Sequence, residues 1–157
     1  MQKTKGDGFQ WRVASVLSAA LLSVSGLALS QSAFAALSEE VTMQTLPPLD
    51  TTIAGERLEY LSTAQPVVST EILTIPPRTT TQWMTHPVPA YLYVLQGTLT
   101  VEFQDGQRQQ FSAGQAFLQS RTHWHRGRND TNEPVKFLAV FMGSKGVPVI
   151  LHPPTDH

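Results

Sequence analysis

Four side chains carry most of the chemistry available to this sequence: Met84, His86, His123 and His125. They form two pairs, each with one residue between its members. On an extended strand, residues i and i+2 project from the same face, so each pair shares a side. Imidazole nitrogens bind transition metals and titrate near neutral pH, which suits general-base work. A thioether is a soft ligand, and with imidazole it favours copper, Cu(I) in particular. Plainer roles compete: a methionine also fills irregular core gaps, and a histidine such as His123 can simply hydrogen-bond to backbone. The sequence contains no cysteine, so thiolate ligation and disulfides are excluded. It also lacks a phosphate-cradling glycine loop, a dinucleotide fingerprint, paired carboxylates and a Ser/His/Asp arrangement.

The remaining composition narrows the setting. With 157 residues the chain has the length of one domain, and 41% apolar residues are enough for a core. Lys3, Lys5 and Arg12 precede an uncharged apolar or small stretch at 13–29, and Ala33-Phe34-Ala35 follows it. This order predicts a secretory signal peptide over residues 1–35, cleaved after Ala35, and hence a periplasmic or secreted protein. The chain has 11 basic and 12 acidic residues; the leader removes three and one, leaving eight and eleven, a net of −3. That balance argues against nucleic acid as a partner. Once the leader is gone, no membrane association is expected.

The mature chain has the punctuation of an all-β domain. Residues 36–57, with Pro47 and Pro48, read as an N-terminal arm with at most one short strand. Over 58–151, short β-rich runs alternate with turn residues. The runs are 67–75, ending at Pro76-Pro77, then 91–95, 98–103, 116–118, 135–142 and 147–151. Asp105-Gly106 predicts a two-residue hairpin. Residues 152–157 form a proline-rich tail carrying His152 and His157. No stretch shows a sustained helical period, so a sandwich or barrel is expected.

Two segments carry a resemblance. Residues 77–103 read PRTTTQWMTHPVPAYLYVLQGTLTVEF, and residues 114–129 read GQAFLQSRTHWHRGRN. These resemble the two motifs of the cupin superfamily, in the small single-domain, cupin-2 manner with a degenerate metal motif. The resemblance implies a jelly-roll barrel over most of the mature chain. His86 and Gly97 match the first motif, and Gly114, His125 and Asn129 match the second. Ser120 and Thr122 stand where that family has proline and glycine. Met84 stands in place of its first histidine, and Ala90 in place of its glutamate. In metal-binding cupins three histidines and that glutamate are the ligands, so two of four remain here.

The resemblance aims His86 and His125 into the barrel, and the i, i+2 rule then brings Met84 and His123 with them. The expected metal set is His86, His125, His123 and Met84, with His123 replacing a lost ligand. Copper or zinc is favoured; iron, manganese and nickel suit the set less well without the carboxylate. Trp83 and Trp124 alternate with these positions and should face away. Arg121, Arg126 and Arg128 read as a solvated strand edge, or as an anion guide. The implied function is metal binding in a histidine-lined pocket open to a small-molecule ligand, with dioxygenase- or isomerase-like turnover as an extension. The alternative is a metal-free ligand-binding or structural barrel. The resemblance also implies a homodimer.

Overall fold

The computed structural model describes residues 41–154, so the expected signal peptide and His157 lie outside the described residues. Among the described residues seven strands form: β1 (Pro66–Ile75), β2 (Ala90–Gln96), β3 (Thr98–Phe103), β4 (Arg108–Ser112), β5 (Ala116–Leu118), β6 (His125–Arg128) and β7 (Val135–Ser144). All their pairings are antiparallel, in a four-stranded sheet ordered β1-β7-β2-β5 and a three-stranded sheet ordered β4-β3-β6. No helix forms among the described residues. The chain is all-β, as its sequence pattern predicts.

Period-2 alternation builds the core. Ala90, Leu92 and Val94 of β2 and Val135, Phe137, Ala139 and Phe141 of β7 are buried, while the residues between them are partly covered or, at Lys136, exposed. Leu99, Val101 and Phe103 of β3 and Phe117 of β5 complete the cluster. Phe111 stacks on Phe117 at 3.9 Å between centroids. Such side chains each contribute roughly 1.5–3 kcal/mol on full burial.

β3 breaks the alternation because Thr100 and Glu102, on its other face, are buried as well. Three arginines cover Glu102: Arg108 contacts Oε1 at 2.5 Å, while Arg126 and Arg128 contact Oε2 at 2.6 and 3.1 Å. Burial opposes ionisation of Glu102, but the Arg126, Arg108 and Arg128 hydrogen bonds outweigh it and hold the carboxyl at about 2. Arg126 and Arg128 therefore serve an ion-pair network, and Arg126 also stacks on Trp83 at 4.4 Å.

Two expectations need correction. The hairpin at Asp105-Gly106 has four residues between β3 and β4, not two. Gly106 turns at φ 87°, and Asp105 Oδ1 accepts the Gln107 amide at 2.9 Å. Residues 147–151 form no strand; only Leu151 bridges back, to Thr85. Pro148 lacks an amide hydrogen, which is consistent with a single bridge in place of a ladder.

Position 97 admits only glycine. Its φ is 76°, and an added Cβ would lie 2.8 Å from the Pro134 carbonyl oxygen and 3.1 Å from Val135 Cγ2. Both the left-handed backbone and the clash oppose any side chain there. Gly97→Ala should destabilise the domain by about 2–4 kcal/mol, read from denaturant midpoints at unchanged m-value.

Candidate functional site

The site is assembled across three chain segments. The stretch before β2 runs antiparallel to β6, and Met84 and His125 exchange both backbone hydrogen bonds, at 2.8 and 2.9 Å. Residues paired in this way project their side chains to one face. His86, two residues on, returns to the same side. Met84, His86 and His125 accordingly line one cavity, with Gln119, Thr81, and Leu92, Leu99, Val101, Phe137 and Phe141 of the core. The cavity holds about 50 Å³, room for an ion with a few small ligand atoms but well short of a drug-sized molecule.

Both histidines are fixed by backbone carbonyls. His86 Nδ1 lies 2.8 Å from Val149 O, and His125 Nδ1 lies 2.9 Å from His123 O. A carbonyl only accepts, so each Nδ1 carries the proton and donates it. Burial lowers the pKa of His86, and the Val149 contact opposes this without reversing it. Burial, reinforced by the charge His86 would carry, lowers His125 to about 4. Both rings are therefore neutral at pH 7, and each Nε2 presents a lone pair. Their centroids are 5.1 Å apart. His125 Nε2 is buried and has no hydrogen-bond partner in the protein. A buried acceptor without a partner costs about 1–3 kcal/mol.

This donor set fits a soft or borderline metal ion. Two neutral imidazoles with carbonyl-anchored Nδ1 atoms are the usual arrangement of histidine ligands, and Met84 adds a thioether to the same wall. No group of three or more His, Asp or Glu residues converges as a metal site among the described residues. A hard-cation site rich in carboxylates is thus not formed. Ala90 is buried in β2, and the one acid among the lining residues is Glu71, an exposed side chain of β1.

His123 does not join them, contrary to expectation. Residues 121–123 bend, and strand geometry begins only at His125, so the i, i+2 rule does not reach back to 123. The His123 side chain is 57% exposed and lines a separate surface cleft with Phe103, Asp105 and Gln107. Phe103 packs edge-on against both rings, at 6.4 Å from His123 and 6.2 Å from His125. His123 contributes to the pocket through its backbone oxygen. His123→Ala keeps that oxygen, so any metal affinity of the pocket should stay within about threefold of wild type in a direct titration; a loss of tenfold or more would return the side chain to the ligand set.

Other residues from the second motif have structural work. Asn129 is buried; its Nδ2 donates to Ile75 O, Pro76 O and Glu133 O, and its Oδ1 accepts from Thr131. It ties the end of β1 to the β6–β7 connection. The Arg121 guanidinium donates to Glu59 O and Pro87 O. His152 sits away from the cavity, with Nδ1 2.9 Å from Trp83 O. Glu71, Thr81 and Gln119 were not anticipated as lining residues. The signal for Glu71 was available, since it shares the inward period of Leu73 and Ile75.

Residues 71–141 match the family model described as Cupin domain. No curated protein matches the chain. Among solved structures, a cupin domain from Bordetella pertussis Tohama I is 19% identical, with 49% of this chain and 82% of that one covered and a TM-score of 0.44. A polyketide cyclase from Streptomyces resistomycificus is 19% identical over 59% of this chain and 64% of its own, with a TM-score of 0.49. The oxalate decarboxylase of Lactobacillus farciminis, solved with formate, is 26% identical over 57% of this chain, with a TM-score of 0.48; the match spans 27% of that chain.

Proposed function

We propose, from the premise that residues 71–141 form a cupin domain of the small cupin-2 type, that the pocket binds one copper or zinc ion through His86 Nε2 and His125 Nε2. Met84 is the third donor in this reading. The observation that carries it is the pair of neutral, carbonyl-anchored imidazoles on one cavity, one of them with a buried, unpartnered Nε2. A bound ion would supply Lewis acidity, and copper would add one-electron redox chemistry. The chain's own residues hold the ligand protons on Nδ1, exclude bulk water with the Leu92, Leu99, Val101 and Phe141 walls, and limit any second ligand to a few atoms.

Binding is favoured over turnover. With Ala90 where a carboxylate would stand, proton transfer would fall to a histidine already engaged or to Glu71 at the rim. The dioxygenase- or isomerase-like extension is therefore secondary. A metal-free reading is supported by the apolar wall: a small molecule donating a hydrogen bond to His125 Nε2 would also satisfy that atom. Anaerobic titration of the metal-free protein with Cu(I) and Zn(II) separates the two. Saturation at one equivalent supports the metal reading. A protein that takes up neither ion leaves the small-ligand reading.

The setting we propose is an exported protein, led by residues 1–35, that works as a homodimer. Val68 and Ile72 support the dimer, since they lie exposed on the outer face of the four-stranded sheet, 66% and 61% accessible. A monomeric mass by light scattering would dismiss it.

A further inference from the structure

The turn that precedes His125 has lost the proline and glycine of the motif it resembles, and carries Ser120 and Thr122 instead. The structure shows what holds it. Glu56, from the segment ahead of β1, receives Ser120 Oγ at 3.1 Å, the Arg121 amide at 3.0 Å and the Thr122 amide at 2.9 Å. Thr122 Oγ1 makes a further, short contact with the same carboxylate. Thr52 Oγ1 donates to it from the other side at 2.8 Å, and His123 Nδ1 is 3.3 Å away. Burial raises the carboxyl's pKa, but the donors from Thr122, Arg121 and Thr52 outweigh it and hold Glu56 at about 2. The two residues that replace proline and glycine both bring a hydroxyl, and both hydroxyls reach this one carboxylate.

The turn has a further consequence. Ser120 Oγ accepts the His123 amide at 3.0 Å, and His123 O in turn accepts His125 Nδ1–H at 2.9 Å. A continuous path therefore runs from Glu56 through the turn at 120–123 to the ring that faces the cavity. We propose that Glu56 is a positioning residue for the pocket: it replaces a rigid Pro-x-Gly turn with an ionic clamp and so fixes the tautomer and aim of His125. The proposal relies on the reading of His125 as the pocket's donor, but its readout needs no metal. Proline and glycine stiffen a turn through their own backbone preferences. Here the same rigidity comes from charge-assisted hydrogen bonds made by a residue far away in sequence.

The test is long-range ¹H–¹⁵N correlation of histidine rings in metal-free protein, for wild type, Glu56→Gln, Thr122→Val and, as a control, Glu59→Gln. Wild type and the control should show His125 as a single Nδ1–H tautomer. Glu56→Gln should split or broaden that signal between tautomers, with Thr122→Val intermediate, and Zn(II) affinity should fall about tenfold, as for loss of other outer-shell partners. An unchanged single tautomer in both Glu56→Gln and Thr122→Val would overturn the proposal. If Glu56→Gln does not fold, Thr122→Val decides alone, because it removes one donor and keeps the shape. Wild type that binds no zinc while the tautomer still responds to Glu56→Gln would count against the metal reading and leave the clamp standing.

Discussion

His125→Leu should abolish high-affinity metal binding and leave the metal-free protein at least as stable as wild type. The two halves have separate causes. Removing an outer-shell partner of a metal ligand already costs 10–100-fold in affinity, so losing the ligand itself should cost at least about a hundredfold, for Cu(I) and Zn(II) alike. In the metal-free protein, however, His125 Nε2 is buried without a partner. Leucine has a similar volume, carries no polar atom, and would pack against Phe103 and the core around it. Relief of the unpaired acceptor, about 1–3 kcal/mol, offsets the loss of the Nδ1–H bond to His123 O, about 1 kcal/mol. A residue whose replacement costs binding and not stability is kept for binding. Calorimetric titration and thermal melts on the same preparation check both halves. A destabilised variant with intact affinity would reverse the account.

Acid should lower the stability of the metal-free protein over two successive pH ranges. His125 titrates at about 4 when folded and near 6.5 when unfolded. Between those values the unfolded chain binds a proton that the folded chain refuses, so stability is full above pH 6.5 and falls as pH drops toward 4. A depression of that size corresponds to about 3 kcal/mol, and His86 is displaced in the same direction by the same cause. The carboxylates act lower. Glu56 and Glu102 are held at about 2; their contribution is present above their unfolded values near 4.5 and is lost as pH falls through 2. Denaturant midpoints from pH 8 to 2 should show the first loss in wild type and a much smaller one in His125→Leu. The acid limb below about pH 4 should be common to both. A variant that keeps the whole upper loss would place its origin elsewhere.

The fold was readable because its signals are local. The β-rich runs that became β2 and β7, the turn position at Asp105-Gly106 and the glycines Gly97 and Gly114 each depend on a few neighbouring residues, although the turn is longer than two residues and β3 is buried on both faces rather than alternating. The pairing of Met84 with His86 on one face was legible from spacing, while the meeting of His86 with His125 came only from the resemblance; the bridge between Met84 and His125 is what brings all three to one cavity. The argument failed at His123 for a definite reason: period 2 holds only where the backbone is extended, and 121–123 bend. Nothing in the sequence marks that bend, because proline and glycine are absent from it. Its substitute, Glu56, lies more than sixty positions upstream, and no spacing rule links a carboxylate to hydroxyls at that distance. The arginines of the second motif were open to misreading for the same reason. Their partner, Glu102, sits outward on β3, where the strand pattern alone predicts exposure.

The most direct measurement is metal content per chain, by elemental analysis, of untagged protein purified from cells expressing the full sequence, in wild type and His86→Ala. The account predicts close to one copper or zinc per chain in wild type and almost none in the variant, with both proteins folded. Metal-free wild type that remains so after incubation with Cu(I) and Zn(II), or metal that stays with His86→Ala, would contradict it.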